Sequence, residues 1–338
     1  MRGPTKTSRL VATLLLSAAL ALGGCSEQLG SAPADAPTRI VFVPKVGGIP
    51  YFQAMDAGGV EAAKQLGVQW STIGPKTVDP ADQVTIMRQL IAQKVDVIVV
   101  APNDPAALAP AIAEARAKGI HVLTSDTDAP GTQREVFVNQ ASADGIGAAL
   151  TDALMKRTGG TGKYAIVSCG PAAANLNTWI SVQKEYTAKH YPKAQVVETV
   201  YAGEDQDNAT NLAKELMARH PDLTGLVGEC TTSAPGVAKA VREQQKIGQV
   251  FTVGVGTPQS IKPFLLDGSC SESVLWNVES LGWLTAWTAK QVADGKPLLP
   301  VNRVNLELPA VRYDVESKTV LLGDPLLITA DNVDQFKY

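Results

Sequence analysis

The sequence predicts an α/β protein of two hinged, Rossmann-like lobes with parallel sheets, and three observations predict it. From Arg39 onward short β-branched runs alternate with amphipathic helical stretches, the pattern of a parallel sheet with helices on both faces. The same order of elements then occurs a second time, with corresponding strands roughly 125 residues apart, close to one ordinary domain length. The residues just after the strands are polar and aromatic, and that edge is where open α/β sheets bind ligands.

In the first half the strands are RIVFV (39 to 43), VQWSTI (68 to 73), VDVIVV (95 to 100), HVLTS (121 to 125) and a short VFVN (136 to 139). Helices with apolar spacing lie between them, at Gln53 to Leu66, Asp79 to Gln93 and Pro105 to Lys118. The second half reads KYAIVS (163 to 168), QVVETVY (195 to 201), LTGLVG (223 to 228), VFTVGV (250 to 255) and SESVLW (271 to 276). A last long helix, Glu279 to Asp294, and a β-rich tail to Tyr338 return to the lobes, because neither can bury its apolar face alone. The expected lobes are 39–140 plus 278–308 and 141–277 plus 309–338, with chain crossings near Gln140, Asn277 and Leu308 forming a hinge.

Ahead of these elements, Arg2, Lys6 and Arg9 form a positive region and Leu10 to Leu22 an uncharged apolar stretch. That stretch is too short to cross a hydrocarbon layer of about 30 Å, so it reads as an export signal over 1–24. It closes on Leu20-Ala21-Leu22-Gly23-Gly24-Cys25, which resembles the bacterial lipobox, in which the cysteine is acylated and becomes the mature N-terminus. Residues 25–38, polar and rich in Pro, Ala and Ser, then serve as a flexible tether. The expected location is extracytoplasmic, on a membrane-held lipid.

Composition excludes several classes. The chain has 338 residues, 45% hydrophobic and 19% charged, with a net charge of −3, so it lacks the basic face that nucleic acid requires. Beyond Cys25 the cysteines are Cys169, Cys230 and Cys270, without the short spacings of a zinc site or the even count of a disulfide scaffold. Cys169 and Cys230 each end a predicted strand, which leaves open a single disulfide between neighbouring strands or, favoured by base rates, three buried free thiols.

The strand-end residues supply the candidate site: Lys45, Tyr51 and Phe52 after the first strand, Asn103 after the third, Asp126 and Asp128 after the fourth, and Gln140 after the fifth. The second half offers Asn175, Asn177 and Trp179, then Glu229 and Thr231, then Trp276 and Asn277. A sugar is a ring of hydroxyls with an apolar face. Planar Asp, Asn and Gln groups, a Lys donor and aromatic surfaces are what it calls for. Each residue also has an ordinary reading: Asn103 and Asp104 fit an N-cap and turn before Pro105, Asp126 fits an Asx turn, and the aromatics fit a core.

With these residues the chain resembles the type I periplasmic binding proteins of ABC sugar importers, in the branch of rhamnose-binding and autoinducer-2-binding proteins. The resemblance runs from about Arg39 to Tyr338 and rests on Pro44-Lys45, Thr124-Ser125-Asp126-Thr127-Asp128, Val138-Asn139-Gln140, Leu275-Trp276-Asn277, and Ile328-Thr329 to Asp331-Asn332-Val333-Asp334-Gln335-Phe336. It implies two lobes that clamp a small ligand and deliver it to a membrane permease, as a monomer. Lys45 and Asp126 match ligand contacts of the autoinducer-2 binders. Those proteins use an Asp-Gln pair where this chain has Asn175-Leu176, and a Pro and an Ala where it has Glu229 and Thr231. The departures favour a sugar or deoxysugar such as rhamnose over autoinducer-2.

No catalytic residue, cofactor or metal is expected. His121, His190 and His220 fall at the strand edge opposite the binding side, and no metal spacing, phosphate loop or nucleophile elbow occurs. A hydrolase built on Asp126, Asp128 and Glu229 is the enzyme alternative. A receptor feeding a membrane sensor is the other.

Overall fold

The computed structural model describes residues 36–338 apart from residue 306, with Pro37–Tyr338 as one unit. The export signal, Cys25 and most of the tether lie outside the described residues. The first half contributes β1 (Arg39–Val43), α1 (Pro50–Leu66), β2 (Gln69–Thr72), α2 (Pro80–Ala92), β3 (Val97–Val100), α3 (Pro105–Ala117), β4 (His121–Ser125) and β5 (Phe137–Asn139). After α4 (Ala143–Thr158) the second sheet is built from β6 (Thr161–Ser168), α5 (Ala174–His190), β7 (Lys193–Tyr201), α6 (Gln206–Arg219), β8 (Leu223–Gly228), α7 (Ser233–Glu243), β9 (Phe251–Gly254), α8 (Pro258–Asp267) and β10 (Glu272–Leu275). The chain returns through α9 (Val278–Ala293) to β11 (Val301–Asn302), β12 (Val311–Asp314) and β13 (Thr319–Leu321), and ends with β14 (Leu326–Ile328).

The repeat is visible in the strand order. Within the first sheet the five early strands lie β5-β4-β3-β1-β2, and within the second they lie β10-β9-β8-β6-β7. All these pairs are parallel, which puts every strand's carboxyl end on one edge of its sheet and faces the two edges' loops to a common cleft. β-Branched runs suit the central strands because both sheet faces are covered; β3, VIVV, is buried along its whole length. Prolines open α1, α2, α3 and α8, where the missing N–H costs nothing.

Helix α9 belongs with the first sheet, packing on α1 and against β3, β4 and β5. Two glycines let the α1 and α9 backbones touch. A Cβ at Gly58 would land on the Glu279 carbonyl, and one at Gly282 on the Met55 carbonyl.

Two expectations are corrected. The third crossing lies not near Leu308 but at 322–325: β12 pairs antiparallel with β13, and β13 runs parallel to β5 with Val320 opposite Val138. Residues 311–321 therefore extend the first sheet, and β14 alone of the tail strands joins the second, antiparallel to β10. The cysteines are not three free thiols. β6 and β8 are neighbours, and Cys169 and Cys230, just past their ends with Cα atoms 6.1 Å apart, form a disulfide, leaving Cys270 as a buried free thiol.

Candidate ligand-binding cleft

The loop after β1 places Lys45, 5% exposed, at the cleft, and its backbone is held from behind. Asn103 Nδ2 donates to the Lys45 carbonyl at 2.7 Å. Gln83, buried on α2, donates to the carbonyls of Pro44 (3.0 Å) and Ala101 (2.8 Å) and accepts from the Asn103 N–H (2.8 Å). One amide thus ties the loops after β1 and β3 together. Lys45 Nζ lies 3.4 Å from Asp126 Oδ2 and donates to Asn175 Oδ1 at 2.9 Å, so it bridges the residues after β4 to the first turn of α5.

Asp126 follows β4 with a φ of 68°, in the left-handed region that Asp tolerates better than most residues. Its carboxylate accepts from the Tyr51 hydroxyl at 2.8 Å and the Thr127 hydroxyl at 2.9 Å. Burial, then the Asp126 charge, push the Tyr51 hydroxyl well above its ordinary range, so it remains a donor. Tyr51 in turn accepts from Trp276 Nε1 at 3.2 Å. Tyr51 and Trp276 meet edge to face with centroids 5.9 Å apart, and Trp276 and Trp179 do so at 5.7 Å, which makes one aromatic wall from α1, the end of β10 and α5.

Lys45, Tyr51, Phe52, Asp126, Asn175, Trp179, Thr231 and Trp276 therefore converge. Tyr51 and Phe52 sit in the first turn of α1 rather than in the preceding loop. Ile49, Leu176, Glu204, Cys230 and Val255 complete the lining and were not foreseen. Glu204 follows β7 and accepts from the Thr232 hydroxyl at 3.2 Å; burial raises its pKa, and the charge of Lys45 offsets only part of that rise. The signal for it was its place directly after the Ala202-Gly203 strand exit, masked by the acidic run Glu204-Asp205-Gln206-Asp207.

Six of the expected residues stand outside this lining. Asn103 holds the Lys45 backbone, and Asp104 caps α3. Asp128 pairs with Arg134 at 2.8 Å and lines a neighbouring pocket of about 170 Å³ that shares Asp126, Asn175 and Trp179. Gln140 is buried at the first crossing, its Oε1 without a partner among the described residues. Asn177 donates to the Pro171 carbonyl at 2.8 Å, and Asn277 caps α9 by accepting from the Ser280 N–H at 2.8 Å. Glu229 turns away from the cleft: both its oxygens lie 2.7 Å from Gln183 Nε2 beneath α5, and burial pushes its pKa up to about 8. Of the histidines, His121 pairs with Glu135 (3.0 Å) and His220 with Glu198 (2.8 Å), away from the cleft.

The lining side chains leave about 30 Å³ between them, room for about two waters and far below the roughly 300 Å³ at which small-molecule pockets begin. A sugar-sized ligand enters only if the two sheets' loops separate. Three chain crossings make that a hinge motion.

Such a hinged cleft, charged at its floor and walled by aromatic rings, defines a two-lobed solute-binding protein. The chain belongs to the periplasmic binding protein family, whose domain model matches residues 40–297, a family of ligand carriers rather than enzymes. It is 27% identical to a D-ribose/D-allose-binding protein of Pseudomonas aeruginosa, over 87% of this chain and 98% of that one. A solute-binding protein of an ABC transporter from Clostridium phytofermentas, solved with bound L-rhamnose, superposes with a TM-score of 0.84 at 27% identity, covering 89% of this chain and 98% of its own. LsrB from Clostridium saccharobutylicum, solved with AI-2, shares the fold with a TM-score of 0.83 at 22% identity, covering 88% and 99%.

Proposed function

We propose that the protein is a lipid-anchored, extracytoplasmic solute-binding protein that takes up a sugar or deoxysugar, rhamnose-like, between its lobes and presents it to an ABC import permease. The observation that carries this reading is the joining of Lys45 and Asp126, a donor and an acceptor of hydroxyl hydrogen bonds, to the Tyr51–Trp276–Trp179 wall. The charged pair orients hydroxyls, and the rings cover the C–H face. The relatives' ribose, allose and rhamnose support the same ligand class.

Closure follows from where the contacts lie. Lys45 and Asp126 come from the first lobe, Asn175, Trp179 and Thr231 from the second, so a ligand touching both binds the closed arrangement better and shifts the population toward it. The ligand would replace the Lys45–Asn175 hydrogen bond that now spans the cleft. The closed faces of both lobes are what a permease would recognise, and Cys25 would keep the monomer beside it.

A thermal-shift screen of the full-length protein against monosaccharides, deoxysugars, polyols and autoinducer-2 tests this. A ligand at 100 times its Kd adds about 2.7 kcal/mol of stability, an obvious shift. A shift with L-rhamnose or a related sugar is expected; a shift with autoinducer-2 alone would move the protein to the signalling branch, and none with any compound would overturn the sugar reading.

A further inference from the structure

We propose that Glu204 selects the ligand by charge, so that the cleft admits neutral or amine-bearing sugars and refuses acidic ones. This deepens the sugar-binding reading above and rests on it. Three charged side chains line the cleft: Lys45 and Asp126 from the first lobe and Glu204 from the second. Lys45 is the only cation among the lining residues, and Asp126, 3.4 Å away, already balances it. Glu204 is therefore a surplus negative charge inside a cleft walled by Trp179, Trp276 and Val255.

The placement of Glu204 is built rather than accidental. Gly203 turns the chain at φ 69°, and Asp205 anchors the next residue as the N-cap of α6, accepting from the Asn208 N–H at 2.9 Å. Asp205 and Asp207 are exposed, while Glu204 between these anchors is half-buried. Its Oε2 accepts from the Thr232 hydroxyl, and its Oε1 accepts from no donor among the described residues. A carboxylate oxygen free to accept, in surroundings drier than water, favours a donor from the ligand and opposes a second carboxylate. Exclusion of acidic sugars is then a repulsive element as much as an attractive one.

The test is titration of full-length wild type and Glu204→Gln with D-galactose, D-galactosamine, D-galacturonate, L-rhamnose and D-ribose, followed by tryptophan fluorescence, with ligand-free melting temperatures compared as a check on folding. The wild type is expected to bind at least one neutral or amine-bearing member and to bind D-galacturonate at least tenfold more weakly. Glu204→Gln, melting like the wild type, is expected to weaken the preferred ligand tenfold or more and to narrow the gap to D-galacturonate. Equal wild-type affinity for D-galacturonate and D-galactose, or an unchanged affinity in Glu204→Gln, would overturn the role of Glu204 and leave the sugar reading intact. Binding of none of the five would overturn both.

Discussion

Asp126, the ligand acceptor of the proposed function, is also a structural partner. From sequence alone, replacing it with Ala would cost affinity and spare stability. In the structure its carboxylate satisfies the Tyr51 and Thr127 hydroxyls and faces the buried Lys45, so truncation leaves Lys45 without its counter-charge and two buried hydroxyls without their acceptor, and each lost partner costs roughly 1–3 kcal/mol. Asp126→Ala is therefore expected to lower the melting temperature as well, whereas Asp126→Asn keeps the packing and loses affinity by about 1.5–3 kcal/mol, the worth of a charged hydrogen bond. Calorimetric titration paired with thermal melts separates the two. Glu229 behaves in the opposite sense. Its folded pKa of about 8 stands above the ordinary value of 4.5, so the folded protein holds a proton that the unfolded chain releases. Stability then falls as pH rises from about 4.5 to about 8 and levels off above, by up to about 1.4 kcal/mol per pH unit for one such group. Denaturant melts across that range should show this slope in the wild type and its absence in Glu229→Gln; an identical slope in both would refute the assignment. Parity made Glu229 legible in hindsight: it lies two residues beyond Val227, which faces the α4 and α5 side of the sheet, and alternation puts Glu229 on that same face. Lys45 and Asp126 could be read because loops at strand ends have one edge to face. Glu204 could not, since an acidic run ordinarily means a solvated loop.

Among the elements, strands and helices were legible because β-branched runs and apolar spacing change period at each boundary. The tail was not. β11, β12 and β13 are short, and their place beside β5 is set by pairing with a strand some 180 residues earlier, which no local pattern encodes. The disulfide is a similar case: Cys169 and Cys230 are 61 residues apart and become neighbours only because β6 and β8 do. It pins the loops that carry Cys230 and Thr231 to the cleft. Replacing both cysteines with Ser should lower stability by roughly 2–4 kcal/mol, the usual worth of a disulfide, measured as a fall in denaturant midpoint. An unchanged midpoint would mean that the pairing contributes nothing to the folded state.

For the whole molecule, the proposed function joins a lipid anchor at Cys25 to a hinge and a cleft. Cys25→Ala is expected to release the protein from the membrane fraction into the soluble extracytoplasmic fraction, and continued sedimentation with membranes would contradict the lipid anchor. The repeated strand order of the two sheets was readable from the spacing of their strands, and it places both sets of loops toward one cleft. Its narrowness was not readable, because about 30 Å³ of space is a property of side chains meeting from sequence-distant segments. Closure around a ligand must change what lies against Trp179 and Trp276, which both belong to the second lobe and meet the first lobe through Tyr51. The most direct measurement is therefore a tryptophan fluorescence titration of the full-length protein with L-rhamnose and its neutral relatives, in wild type and Asp126→Asn. The account predicts a saturable change with at least one sugar, weakened tenfold or more by Asp126→Asn; no change with any sugar, or an affinity indifferent to Asp126, would contradict it.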